Sequence, residues 1–384
     1  MNNKFKLHNT LIIIGDNSLL CLNDFIQKNA PTKVFIFVDQ NTKKYCLPTL
    51  IEQTILSKRC LIIEVDKFEI FKNSESLKSM SIVTEISKYL LSQHIDKNSL
   101  IINLGGGVIC DLGGFIASII KRGVKFINVP TTFMSQIDAS VGGKVAVNLN
   151  HYKNQIGLFS DPELVLIYPP YNRSLDDCEF NLSLSELLKY GLIYNEIFWN
   201  NITIDHNGFI CFKNKIITKK SDLLELISEC VKMKIEIVKS DYYDMDTRRK
   251  LNFGHTISHA IESCFLEKSN FSKSISSIHH GSALALGIIC ETYLSYKKFK
   301  FSKSILNEIA NKISKLFPAI NYKQIGFGDS FREYLKLDKK NINSIYQFTL
   351  IKKIGDSVIN VSVLDSDVLE SLYFYDQIYR DGSY

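Results

Sequence analysis

Two histidines four residues apart, His255 and His259 in GHTISHA, would sit on one face of a helix and present two imidazoles to one place. A third, His280, stands directly before Gly281, and a carboxylate, Glu186, lies in SELLKYG. Two histidines and one glutamate make a three-ligand set with an open position, as catalytic zinc needs. A polar helix face explains the HxxxH spacing equally well, and His279 competes with His280 as a ligand. Basic residues crowd the same segments: Lys144, Lys153, Lys189, Lys234, Arg248, Lys339 and Lys340 lie beside the histidines, glycines or Asn252. Such a cluster suits a substrate that carries both a carboxylate and a phosphate. The many other lysines read as solvated surface.

A second concentration of chemistry runs from Leu104 to Phe159. It holds Gly105-Gly106-Gly107, Pro130-Thr131-Thr132, Asp138, Gly142-Gly143-Lys144 and Lys153-Asn154. Glycines between a strand and a helix beginning near Asp111 let the backbone approach a pyrophosphate, and the helix N-terminus favours its charge. The run is not GxGxxG, so a tight turn satisfies the same residues. Asp39, closing a strand in VDQN, suits a ribose hydroxyl or a strand-end turn.

These residues need a scaffold to position them. Short β-rich runs are read at Leu11–Ile14, Val34–Val38, Leu61–Val65, Leu100–Leu104 and Phe126–Val129, with helical patterns at Leu19–Gln27, Ser79–Ser92 and Asp111–Lys121 between them. Strands alternating with helices imply a parallel, Rossmann-like α/β sheet. After Pro169-Pro170 long amphipathic patterns take over: Leu182–Tyr194, Asp222–Lys239, Gly254–Phe265, Gly281–Lys297 and Ser302–Leu316. The expectation is an α/β Rossmann-like nucleotide domain over 1–170 and a mainly α-helical metal- and substrate-binding domain over 171–384. The latter would carry a hairpin from Phe348 to Val363 around Gly355-Asp356.

Composition narrows the function classes. The 384 residues are 45% hydrophobic and carry a net charge of +6 without a basic run, so a nucleic-acid arm is not expected. A mild positive balance fits a small anionic substrate. Nine cysteines without a CxxC, no secretory leader and no long apolar run point to a reduced, cytoplasmic setting away from membranes.

In order along the chain, the stretches LGGGVICDLGGF, KRGVKFINVPTTFMSQIDASVGGKVAVN, KNQIGLF, SELLKYGLI, RRKLNFGHTISHAIE, HHGSALALGI and LDKK resemble the 3-dehydroquinate synthase family of sugar-phosphate cyclases. The resemblance spans Asp39 to about Lys340. It implies zinc, or cobalt, on Glu186, His255 and His280. Around NAD it implies Asp39, Asn41, Glu69, Lys72, Gly105, Gly106, Gly107, Asp111, Thr131, Thr132, Asp138, Ser140, Lys144, Lys153 and Glu179. Around the substrate it implies Lys144, Asn154, Lys189, Lys234, Arg248, Asn252, His259 and a lysine of Asp338-Lys339-Lys340, with Lys339 the first choice. Arg122 matches an arginine that reaches the phosphate from the partner subunit of a homodimer.

The implied reaction, in the shikimate pathway to aromatic amino acids, turns 3-deoxy-D-arabino-heptulosonate 7-phosphate into 3-dehydroquinate and phosphate. It runs by transient NAD oxidation, phosphate elimination, re-reduction and aldol closure. The rival readings are a cyclase making 2-deoxy-scyllo-inosose or epi-valiolone, and a metal-dependent polyol or glycerol dehydrogenase. Asn252, His259 and Gly142-Gly143-Lys144 favour the dehydroquinate form. Phe68, Ser185 and Ser282 depart from residues usual in the family.

Overall fold

The computed structural model describes residues 2–56, 60–68, 74–150, 152–271, 278–324, 329–336 and 345–381. They gather into two compact units, Met1–Phe180 with Lys219–Lys239, and Asn181–Thr218 with Ser240–Tyr384.

The first unit carries β1 (Asn3–Leu7), β2 (Thr10–Ile14), α1 (Cys21–Asn29), β3 (Val34–Val38), α2 (Gln40–Tyr45), α3 (Leu47–Gln53), β4 (Leu61–Glu64), α4 (Met80–Ser92), β5 (Leu100–Gly105), α5 (Gly107–Ile119), β6 (Lys125–Pro130), β7 (Lys144–Leu149), β8 (Tyr152–Phe159) and β9 (Leu164–Ile167). Its seven-stranded sheet has the order β1-β2-β9-β6-β5-β3-β4. All neighbours run parallel except the β1–β2 hairpin. The apolar run VFIFV of β3 is what a strand covered on both faces requires. Its alternate residues divide between two cores: Phe35 and Phe37 join Ile101 and Ile116, whereas Ile36 and Val38 join Leu100 and Ile102.

The expected α/β order is present, with two local differences. Helix α5 begins at Gly107, not near Asp111, because the parallel crossover turns sharply at the end of β5 and Gly106, with extended backbone, is already the N-cap. The β7–β8 pair is an antiparallel hairpin outside the main sheet. Val145 of β7 packs on Gly114 of α5, where an added Cβ would lie 2.5 Å from Val145 Cγ1. That contact anchors the strand whose first residue is Lys144.

Helix α6 (Asp177–Tyr194) begins in the first unit and continues in the second. The second unit then has α7 (Glu196–Asn201) and the small sheet of β10 (Ile202–Ile204), β11 (Ile210–Phe212) and β12 (Lys215–Ile216). Helix α8 (Leu224–Ser240) groups with the first unit as far as Lys239. Next come α9 (His255–Phe271), α10 (His280–Phe299), α11 (Lys303–Leu316), α12 (Asp329–Lys336), the hairpin β13 (Ile345–Lys353) with β14 (Asp356–Leu364), and α13 (Asp365–Asp381). The mainly helical expectation therefore holds, and Gly355, at φ +79°, makes the hairpin turn.

Helices α9 and α10 approach closely. A Cβ on Gly287 would lie 2.0 Å from the Gly254 carbonyl, and Gly254 itself has φ +81°. Glu291 of α10 is fully buried, and its carboxylate accepts the Gly254 amide at 2.6 Å and the Ile257 amide at 3.3 Å. A carboxylate there caps the first turn of α9 and complements its dipole.

Candidate metal centre and nucleotide site

Three helices of the second unit converge on one cluster. Glu186 and Lys189 lie a turn apart on α6, His255 opens α9 and His280 opens α10. Glu186 Oε1 is 3.2 Å from His255 Nε2 and 3.6 Å from His280 Nε2, and Lys189 Nζ is 2.5 Å from Glu186 Oε2. Burial alone would raise the Glu186 carboxyl, but Lys189 and the two histidines outweigh it and hold it well below the ordinary value. Burial, followed by the charge of Lys189, lowers His255 and so favours its neutral form.

The ligand atoms of Glu186, His255 and His280 lie within 4.8 Å of one another, with Glu186 Oε2 buried against the Lys189 ammonium. Two imidazoles with one carboxylate are a donor set that fits a divalent metal such as zinc. The exposed His279 caps α10 and stands outside this cluster, which resolves the rivalry between adjacent histidines. The His259 ring lies 5.2 Å from that of His255 and 6.2 Å from that of His280.

Arg248 is buried and donates through Nη1 to the Tyr242 carbonyl at 2.6 Å. Its backbone amide donates to Asp241 Oδ2, which also accepts from the Asp246 amide. Asn252 ends the same 3₁₀ turn, half-buried. Lys339 and Lys340 lie outside the described residues.

In the first unit, none of Gly105, Gly106 and Gly107 takes a left-handed backbone. They are small because neighbours leave no room. An added Cβ would lie 2.4 Å from Ile109 at Gly105, 3.1 Å from Thr132 at Gly106 and 3.2 Å from Ala139 at Gly107. The loop after β6 therefore descends onto the start of α5, tied by the Thr131 amide donating to the Gly105 carbonyl at 3.0 Å. Thr132 and Ser135 bond each other, and Gln136 bridges the Pro130 and Tyr168 carbonyls. Gly106 offers no side-chain cap, so the first amides of α5 suit an outside acceptor. Asp138 follows in a π-helical turn, its Oδ1 2.8 Å from Lys234 Nζ, which also donates to its carbonyl. Ser140 Oγ is buried without a hydrogen bond.

Two residues that the sequence reading missed stand among these. Lys78, almost fully buried, meets Asp111 Oδ2 at 2.7 Å and Asn154 Oδ1 at 2.5 Å. Burial raises the Asp111 carboxyl even against Lys78. Glu75 Oε1 accepts from Asn148 at 3.0 Å and lies 3.6 Å from Lys153 Nζ. Glu75-Ser-Leu-Lys78 has the same spacing as Glu69-Ile-Phe-Lys72 six residues earlier, so the signal was present in duplicate. Glu69 and Lys72 lie outside the described residues.

The remaining expected residues lie elsewhere in the first unit. Asp39 caps α2, its Oδ1 accepting the Thr42 amide at 2.7 Å, and burial raises its carboxyl. Asn41 and Glu179 are exposed, each in the first turn of its helix. Lys144 is exposed after two left-handed glycines, Gly142 at φ 106° and Gly143 at φ 70°. Arg122 is exposed and left-handed at φ 59°, with Lys97 Nζ donating to its carbonyl at 2.9 Å.

Several solved enzymes share the fold. A 2-deoxy-scyllo-inosose synthase, solved with carbaglucose-6-phosphate, NAD+ and Co2+, matches 97% of this chain and 99% of its own at TM-score 0.77 and 21% identity. The 2-epi-5-epi-valiolone synthase ValA of Streptomyces hygroscopicus, solved with NAD+ and Zn2+, matches 98% of both chains at TM-score 0.78 and 20% identity. A glycerol dehydrogenase from Schizosaccharomyces pombe is more distant, at TM-score 0.57 and 14% identity, over 98% of this chain and 91% of its own.

Sequence relationship is more specific than fold. The family models for the 3-dehydroquinate synthase N-terminal and C-terminal parts match residues 69–182 and 183–341. A 3-dehydroquinate synthase from Parabacteroides distasonis is 36% identical over 92% of this chain and 94% of its own. One from Clostridium tetani is 37% identical over 79% of this chain and 76% of its own. The chain belongs to the 3-dehydroquinate synthase family. No helix among the described residues is long and apolar enough to cross a membrane.

Proposed function

We propose that the chain converts 3-deoxy-D-arabino-heptulosonate 7-phosphate to 3-dehydroquinate and phosphate, in the shikimate pathway. The observation that carries this is the convergence of His255 and His280 on Glu186, beside Lys189, in a chain 36% identical to a 3-dehydroquinate synthase over 92% of its length. When bound, the metal would polarise the hydroxyl to be oxidised and NAD would carry the hydride away and back, so no net oxidation occurs. Glu186, His255 and His280 would hold the metal.

Asp39, Asn41, Gly105–Gly107, Asp111, Thr131, Thr132, Ser140, Lys153 and Glu179 serve the cofactor, and the network above adds Glu75 and Lys78 to them. Asp138, fixed by Lys234, would serve the nicotinamide end of the cofactor. Lys144, Asn154, Lys189, Lys234, Arg248, Asn252, His259 and Lys339 bind and orient the substrate. The cations among them neutralise its carboxylate and phosphate. Elimination follows oxidation because the new ketone acidifies the adjacent carbon, and the leaving phosphate's own oxygens take that proton. The protein's tasks are placement and charge stabilisation. We place Arg122 at the phosphate of a second copy in a cytoplasmic homodimer.

The test is incubation of the purified protein with the heptulosonate phosphate, NAD and zinc. Release of phosphate together with dehydroquinate is expected. Net NADH formation from a polyol, without phosphate release, would overturn the reading in favour of a dehydrogenase.

A further inference from the structure

Both imidazoles of the metal centre present Nε2 to Glu186, and each is held from behind at Nδ1, but by different partners. His255 Nδ1 lies 3.2 Å from the Phe253 carbonyl. His280 Nδ1 lies 3.1 Å and 3.2 Å from the two oxygens of Glu262. Glu262 is only 5% exposed and stands on α9, three residues after His259. Helix α9 thus supplies one imidazole and also the carboxylate that grips the ring carried by α10. A carboxylate at Nδ1 keeps the proton there, leaves the Nε2 lone pair for a metal and makes that nitrogen a stronger donor.

The same atoms admit another use. The ligand atoms of His259, Glu262 and His280 also lie within 4.8 Å of one another, which would make Glu262 a ligand in its own right. The geometry argues for the hydrogen bond. Both Glu262 oxygens lie at hydrogen-bond distance from one ring nitrogen, while the other nitrogen of that ring faces Glu186.

We propose that Glu262 is a positioning residue of the metal centre: through Nδ1 it fixes the tautomer and ring orientation of His280 and strengthens metal binding without touching the metal. This rests on the metal reading of Glu186, His255 and His280.

The test strips the full-length protein of metal. Zinc affinity is then measured by competition with a chromogenic chelator for the parent chain, Glu262→Gln and Glu262→Asp. Apo melting temperatures and Co2+ absorption spectra are recorded alongside. The Gln variant should bind zinc about 10- to 100-fold more weakly with its apo melting temperature and Co2+ coordination number preserved, and the Asp variant should recover part of the loss. A Gln variant whose affinity stays within about two-fold of the parent overturns the proposal. So does a Co2+ spectrum reporting a lost ligand, since Glu262 would then be coordinating. Should the Gln variant not fold, the Asp variant decides alone: weaker binding supports positioning, and unchanged binding overturns it. Failure of the parent chain to bind zinc would instead sink the metal reading itself, and the inference with it.

Discussion

At Glu186, His255 and His280 charge is concentrated in a buried place; at Gly105–Gly107 side chains are absent because neighbours fill the space. The first cluster draws on three helices separated in sequence and is steadied by carboxylates behind it, Glu262 at His280 and Glu291 at the start of α9. The second is contiguous in sequence, and its geometry follows from crowding by Ile109, Thr132 and Ala139. Buried polar groups must be partnered or they cost free energy, so a centre of charge needs a network. A turn of glycines needs only room.

The sharpest way to break the contrast is at the ligands. His255→Ala should abolish both bound metal and phosphate release, measured by metal analysis and a phosphate assay. Full activity with metal retained would show that the charge cluster is not the metal site.

On the crowded side, Gly105→Val should destabilise by about 1–3 kcal/mol or more, because overpacking forces Ile109 aside. Denaturant titration measures this, and an unchanged midpoint would show that the turn has slack. Lys78→Ala leaves the Asp111 carboxylate without its cation in a mostly buried position, and costs up to about 3 kcal/mol. Calorimetry with NAD should show weaker binding, while zinc affinity stays as it was.

The pH dependence separates the regions again. Glu186 is held below its ordinary value, so its contribution to stability is present above that value and lost as pH falls through the folded one. His255 is also lowered, so its neutral form is favoured and acidification below the ordinary histidine value of 6.5 removes stability as the ring is forced to charge. The apo melting temperature should therefore fall with acid, and less so in Glu186→Gln. An apo protein whose melting temperature is flat across that window contradicts the charge network. The smallest effect is expected at the surface: Lys297→Ala, which breaks ion pairs to Asp367 and Glu370, should change stability by about 0–1 kcal/mol in thermal melts.

Local pattern made much of this molecule legible. VFIFV, bounded by polar residues, reads as a buried strand and is one, and the period of Ser302–Leu316 reads as the helix that α11 is. The β7–β8 hairpin escaped notice because YKNQIGLF, mostly exposed, does not alternate, and the packing of Val145 on Gly114 of α5 is not written in the local pattern. Lys78 escaped because a nearby Glu-x-x-Lys carried the same letters, and its burial against Asp111 and Asn154 is a property of the packed chain.

The sequence by itself determined the alternation of strands and helices, the residue types of the metal centre and the family motifs, since these depend on neighbours a few positions apart. Tertiary structure alone decided that Glu262 stands behind His280 and that Glu291 caps the helix bearing His255. Those choices depend on which groups become buried together, and burial is a property of the packed chain.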